Sequence, residues 1–144
     1  MYPFFIFYFI FWQIFTIKNK IAYFKIMQKK REYKIYLIHC KIINFYKIGI
    51  SVNPQKRLKQ LQTGTPYELS IVYIHESKFP FKVEKILHNS LSSRKVTENY
   101  KFDFEKLKGE WFDLSAGDIL SFKDNCIKTE NLIETLKKSG NPFV

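Results

Sequence analysis

The sequence is short of cysteine and of acidic residues. Its 2 cysteines, Cys40 and Cys126, form no CxxC pair and stand at no Cys/His ligand spacing. A structural zinc is therefore not expected. Two thiols in a chain of 144 residues read as free cysteines of an intracellular protein. Cys40 closes a strand-like run and is expected to be buried as a small hydrophobe. Asp and Glu number 13 against 24 Lys and Arg, which leaves a net charge of +11. A deficit of that size points to a polyanionic partner, nucleic acid ahead of anionic membrane. No internal repeat is visible, and the length suits one compact domain with extra segments at its ends. Aromatic residues reach 18%. Phe, Tyr, Ile, Lys and Asn share AT-rich codons, so this enrichment alone is no sign of base stacking.

The first 17 residues, MYPFFIFYFIFWQIFTI, carry no charge. They lack the basic start and the small-residue cleavage site of a secretory signal. They fall short of the roughly 20 apolar residues of a membrane helix. Their aromatic and β-branched residues also suit a helix poorly. Met27 opens MQKKREYKIYLIHC directly before the first strand-like run. The favoured reading is that translation starts there and that residues 1–26 are a start-site artefact. The alternative is a membrane or interfacial anchor, with Lys18, Lys20 and Lys25 holding the downstream domain on the cytoplasmic side. Either reading places the domain in the cytoplasm.

Residues 33–39 and 45–50 read as strands joined by a short turn, a hairpin. Asn53-Pro54 opens a helix, with Asn as N-cap and Pro at the first helical position. Gly64 is expected to close it in the left-handed conformation. Leu58 and Leu61 supply its apolar stripe. Residues 69–75 read as a third strand. Residues 80–92 read as a second helix, with Val83, Ile86, Leu87 and Leu91 on one face. A lysine-rich loop follows over 93–109, then an extended segment over 110–114 whose Trp111 and Phe112 should close the core. Ser115 caps a last helix over 116–137, with Ile119, Leu120, Ile127, Leu132, Ile133 and Leu136 as its apolar positions. The tail 139–144 reads as loose.

Arg57 lies just inside a capped helix start, where backbone N–H groups favour anions. Its guanidinium could grip a phosphate with two hydrogen bonds, though any helix arginine can simply be solvated. Lys56 and Lys59 share that helix. Glu84 sits on the border of the buried face of the second helix. One carboxylate with water and phosphate oxygens suffices for Mg²⁺; a solvated glutamate is the plainer reading. His88 follows one turn later and could assist a metal or touch phosphate. Tyr36 and Tyr46 lie on the hairpin, where most tyrosines are packed. Lys47 could add a phosphate contact, or act as a base if desolvation lowers its pKa.

Together KIYLI, YKIGIS, NPQKRLKQLQTGTP, VEKILH and GEWFDL resemble the GIY-YIG nuclease superfamily. They look most like its branch named for a bacteriophage T-five open reading frame, a DNA-binding domain. The resemblance covers about residues 33–114, between the hydrophobic segment 1–26 and a C-terminal helix and tail at 115–144. It implies an α/β fold, a small three-stranded antiparallel sheet flanked by helices. It implies that Tyr36 is the tyrosine of the first motif and Gly49 the glycine of the second. Arg57 would stabilise the transition-state phosphate, and Glu84 would hold a single Mg²⁺ or Mn²⁺. Three positions depart from the nuclease pattern. Lys34 replaces a glycine, Lys47 the presumed general-base tyrosine, and Leu61 a His or Tyr. KIG in place of YIG is typical of the DNA-binding branch. The resemblance therefore implies a DNA partner, with a metal-dependent endonuclease and a non-catalytic DNA-binding module as alternatives. The third alternative is a membrane-anchored protein whose basic face meets anionic lipid.

Overall fold

The computed structural model describes residues 15–20, 31–97 and 109–142. The chain divides into two compact units, Met1–Arg31 and Glu32–Val144. In the first, residues 15–20 are helical, with Phe15 and Ile17 exposed. The rest of the hydrophobic run lies outside the described residues. Among the described residues no helix is long and apolar enough to cross a membrane.

The second unit is built on strands β1 (Lys34–Cys40), β2 (Phe45–Ser51) and β3 (Leu69–Glu76). They form an antiparallel sheet in the order β2-β1-β3. Strand β1 is central and covered on both faces, which explains why its apolar residues alternate only weakly. The hairpin between β1 and β2 turns at Asn44, whose φ of 55° is the left-handed region that Asn tolerates.

Helix α1 (Pro54–Thr63) starts as its sequence dictates: Asn53 Oδ1 accepts from the Lys56 N–H at 3.0 Å, and Pro54 fills the first position. Its end differs from expectation. Gly64 has φ −93° and is not left-handed. The Gln62 side chain takes over the work of the cap. It donates to the carbonyls of Thr65 and Tyr67 and accepts from the Leu69 N–H. The loop is thereby satisfied without a left-handed residue.

Helix α2 (Pro80–Ser90) runs into a 3-10 turn, Ser92–Arg94. Helix α3 (Ala116–Lys138) begins with a reciprocal capping box between Ser115 and Asp118.

One sheet face packs Ile35, Leu37 and Ile48 against Val83 and Leu87 of α2 and Phe122, Cys126 and Ile133 of α3. Phe112 closes this side at 1% exposure. The other face packs Tyr36, Ile38, Cys40 and Phe45 against Leu58 and Leu61 of α1, with Trp111 over them. Cys40 is buried as expected. The expected face of α3 needs correction. Leu120 is 82% exposed, and Ile127 and Leu132 are also exposed. Residues 119, 122, 126 and 133 keep the three-to-four-residue spacing of one stripe, so Phe122 and Cys126 take the core positions. Burial pushes the Cys126 thiol up to about 12, which makes it unreactive. Ile86 likewise turns out of the α2 face.

Because the core lies within Glu32–Val144, a chain begun at Met27 should fold cooperatively and stay monodisperse. Circular dichroism melting and size-exclusion chromatography would check this. Aggregation of that chain beside well-behaved full-length protein would assign residues 1–26 to the folded core.

Candidate functional site

The outer edge of β2 gathers most of the residues singled out from sequence. Consecutive strand residues point to opposite faces, so Tyr46 and Lys47 part company. Tyr46 enters the α2 side of the core and stacks on His39 with ring centroids 4.4 Å apart. It is thus removed from the face that Lys47 occupies. Lys47 points to the α1 side, where its Nζ lies 5.5 Å from the centre of the Trp111 ring and donates to the Glu110 carbonyl at 3.2 Å. Gly109 makes room for it. A Cβ there would lie 2.6 Å from Nζ, and its φ of +88° also requires glycine.

Tyr36 is 2% exposed, and its ring lies across Gly49. A Cβ on Gly49 would sit 2.6 Å from Tyr36 Cζ, so the glycine of the second motif is what lets the tyrosine of the first lie flat on β2. Arg57, half-buried on the second turn of α1, is close enough for its charge to act on Lys47. Among the described residues no carboxylate pairs with it. Burial first, and then the Arg57 guanidinium, hold Lys47 below the usual amine range. Glu110 and Glu84 oppose that shift. Lys56 and Lys59 are exposed. Lys59 lies about 200° around the helix from Arg57 and borders a separate shallow depression of about 290 Å³ with Leu58, Gln62, Thr63 and Leu69.

From the opposite face, α2 brings Glu84 and His88 to the same edge. His88 packs edge-on against Phe112 with centroids 5.0 Å apart. Its Nε2 donates to the Ile48 carbonyl at 3.0 Å and lies 3.3 Å from Glu84 Oε1. Its Nδ1 meets Glu110 Oε2 at 2.9 Å. Glu110 also pairs with Lys95 at 2.5 Å. Hydrogen bonds from Lys95 and then His88 hold its carboxyl below the ordinary range. Sequence reasoning assigned the 110–112 segment to the core and missed Glu110 as a site residue.

Among the described residues no group of three or more His, Cys, Asp or Glu side chains could cage a metal. Glu84 alone offers one hard carboxylate, with only the long His88 contact on it. That donor set fits an ion that keeps most of its waters, such as Mg²⁺, and fits neither zinc nor calcium.

A family model, the T5orf172 domain, matches residues 21–135. The chain belongs to the T5orf172 domain family. This is a phage-associated domain linked to nuclease-like folds. The T5orf172 match takes in the sheet, α1, α2 and most of α3, and so includes Tyr36, Lys47, Arg57, Glu84, His88 and Glu110. No curated protein and no solved structure matches the chain.

Proposed function

We propose that this protein binds DNA through the β2 edge, with a backbone phosphate seated between Arg57 and Lys47, and that the same GIY-YIG-like pocket cleaves phosphodiesters. The observation that carries the reading is the pair of neighbouring cations. Among the described residues Arg57, half-buried, has no carboxylate partner, and its charge bears on a lysine already desolvated against Trp111. Two such cations repel each other until an anion lies between them. A guanidinium matches the geometry of phosphate.

For cleavage, Arg57 would hold the phosphate and stabilise the charge that grows on it. Lys47, held below the usual amine range, would instead take a proton from the attacking water when it is neutral, as an alternative to its role as a phosphate contact. Tyr36 would fix the strand under the substrate through its packing on Gly49. A Mg²⁺ or Mn²⁺ ion on Glu84 would supply charge neutralisation at the phosphate oxygens. His88 steadies Glu84, Glu110 and the Ile48 carbonyl together. One observation favours the second reading, a binding module without turnover: Lys47 stands where the nuclease pattern has tyrosine. Plasmid cleavage with Mg²⁺ or Mn²⁺, compared with EDTA, separates the two.

Binding itself should depend steeply on salt. With a net charge of +11, affinity should fall by orders of magnitude between about 50 and 200 mM salt if roughly 6–10 phosphates are contacted. Arg57→Ala should weaken binding by about tenfold or more, since a charged hydrogen-bonding group is lost. Exposed Lys59→Ala should matter less. Fluorescence anisotropy with duplex DNA reads both. No binding at low salt would remove the nucleic-acid reading.

A further inference from the structure

Lys47 is placed as a nucleophile as well as a cation. Its Nζ donates to the Glu110 carbonyl and lies near the Trp111 ring, beside Gly109, where a side chain would crowd it. An apolar wall and a neighbouring cation are the two surroundings that activate a lysine amine toward carbonyl carbon. Lys47 has both, in Trp111 and Arg57. A tyrosine at this position could not form a carbon–nitrogen double bond; a lysine can. DNA offers an aldehyde where a base has been lost, because the bare deoxyribose opens to a free C1′ carbonyl.

We infer that this pocket acts on abasic DNA, with Lys47 Nζ attacking the C1′ aldehyde and the strand breaking by β-elimination without a metal ion. The inference rests on the DNA-binding part of the proposed function and not on its metal chemistry. Arg57 would hold the phosphate beside the abasic sugar, which presents the aldehyde to Nζ. The neutral amine adds to C1′ and loses its extra proton to solvent. The C1′ oxygen leaves as water, which gives an iminium ion between Nζ and C1′. A proton then leaves C2′ to a solvent base. The electron pair moves between C2′ and C3′, and the 3′ phosphate departs with the C3′–O bond. Water finally hydrolyses the iminium and frees Lys47. One water is released and one consumed, and no oxidant or reductant is required. The products are a 5′-phosphate end and an unsaturated 3′ aldehyde.

The test uses the full chain in EDTA with a duplex that carries one abasic site. Sodium borohydride is added to reduce the iminium to a stable amine. A covalent protein–DNA band is expected, with peptide mass spectrometry placing the link on Lys47. In Lys47→Arg the band, measured per DNA bound by that variant, should fall by about tenfold or more because the amine nucleophile is lost. Lys128→Arg, on the exposed face of α3, should trap like the parent. A Lys47→Arg band as strong as the parent's, or links spread evenly over surface lysines, overturns the inference. So does the absence of a band when the abasic duplex is bound; intact-duplex binding and its salt dependence would then still support the proposed function. Failure to bind either duplex removes both.

Discussion

Glu84→Gln should abolish metal-dependent plasmid cleavage while leaving DNA affinity unchanged or slightly improved. Glu84 is the proposed ligand for the divalent ion, and its charge opposes a polyanion. Loss of charge stabilisation at a reacting phosphate costs about 100-fold or more in rate. Removal of a negative charge beside Lys47 cannot weaken phosphate binding through electrostatics. The measurement is nicking of supercoiled plasmid in Mg²⁺, set beside anisotropy binding curves. Arg57→Ala should damage both readouts. Lys47→Tyr, which introduces the nuclease-type residue, should raise cleavage if the rest of the pocket is competent. Cleavage at the parent rate in Glu84→Gln would place the metal, or the activity, elsewhere. Binding without cleavage in every variant would leave the non-catalytic module.

Phe112→Ala should destabilise the Glu32–Val144 unit by about 3–5 kcal/mol. Its ring is buried at 1% exposure among Tyr46, Ile48 and the α2 and α3 side chains. Alanine would leave a cavity walled by elements that cannot all move inward. Phe112 also carries the edge contact with His88 and exchanges two backbone hydrogen bonds with Tyr46, at 2.9 and 2.8 Å. A typical domain has about 5–15 kcal/mol in all, so the loss should be plain in urea unfolding. A shift below about 1 kcal/mol would mean that the segment carrying Phe112 docks outside the cooperative unit.

Most of the fold was legible because the local signals were strong and consistent. The Asn53-Pro54 start, the Ser115 cap and the Tyr- and Ile-rich strand runs all name their elements without help from packing. The end of α1 was less legible, because Gly64 is a sound cap signal yet Gln62 had three loop partners to satisfy. The α3 face was misjudged because apolar identity was weighed above spacing. Phe122 and Cys126 hold the stripe, while Leu120 stands in solvent. Within the site, Tyr36, Lys47, Arg57, Glu84 and His88 could be named from motif spacing. Their meeting on two sides of one strand edge is tertiary, and so is the part of Glu110. That acid lies 22 residues from His88 in sequence, and pattern carries no sign of such a pairing.

The hydrogen bonds along the outer side of β2 have a consequence for solubility. An uncovered strand edge invites another chain to add to it. Here Phe112 occupies both backbone groups of Tyr46, and His88 occupies the carbonyl of Ile48. At Tyr46 and at the Ile48 carbonyl the edge is therefore already engaged, by Phe112 and by His88 of the candidate site. Damage to His88 would then surface first as low refolding yield and high-molecular-weight material. Recovery of monomer, rather than turnover, is the quantity by which such a variant should be judged.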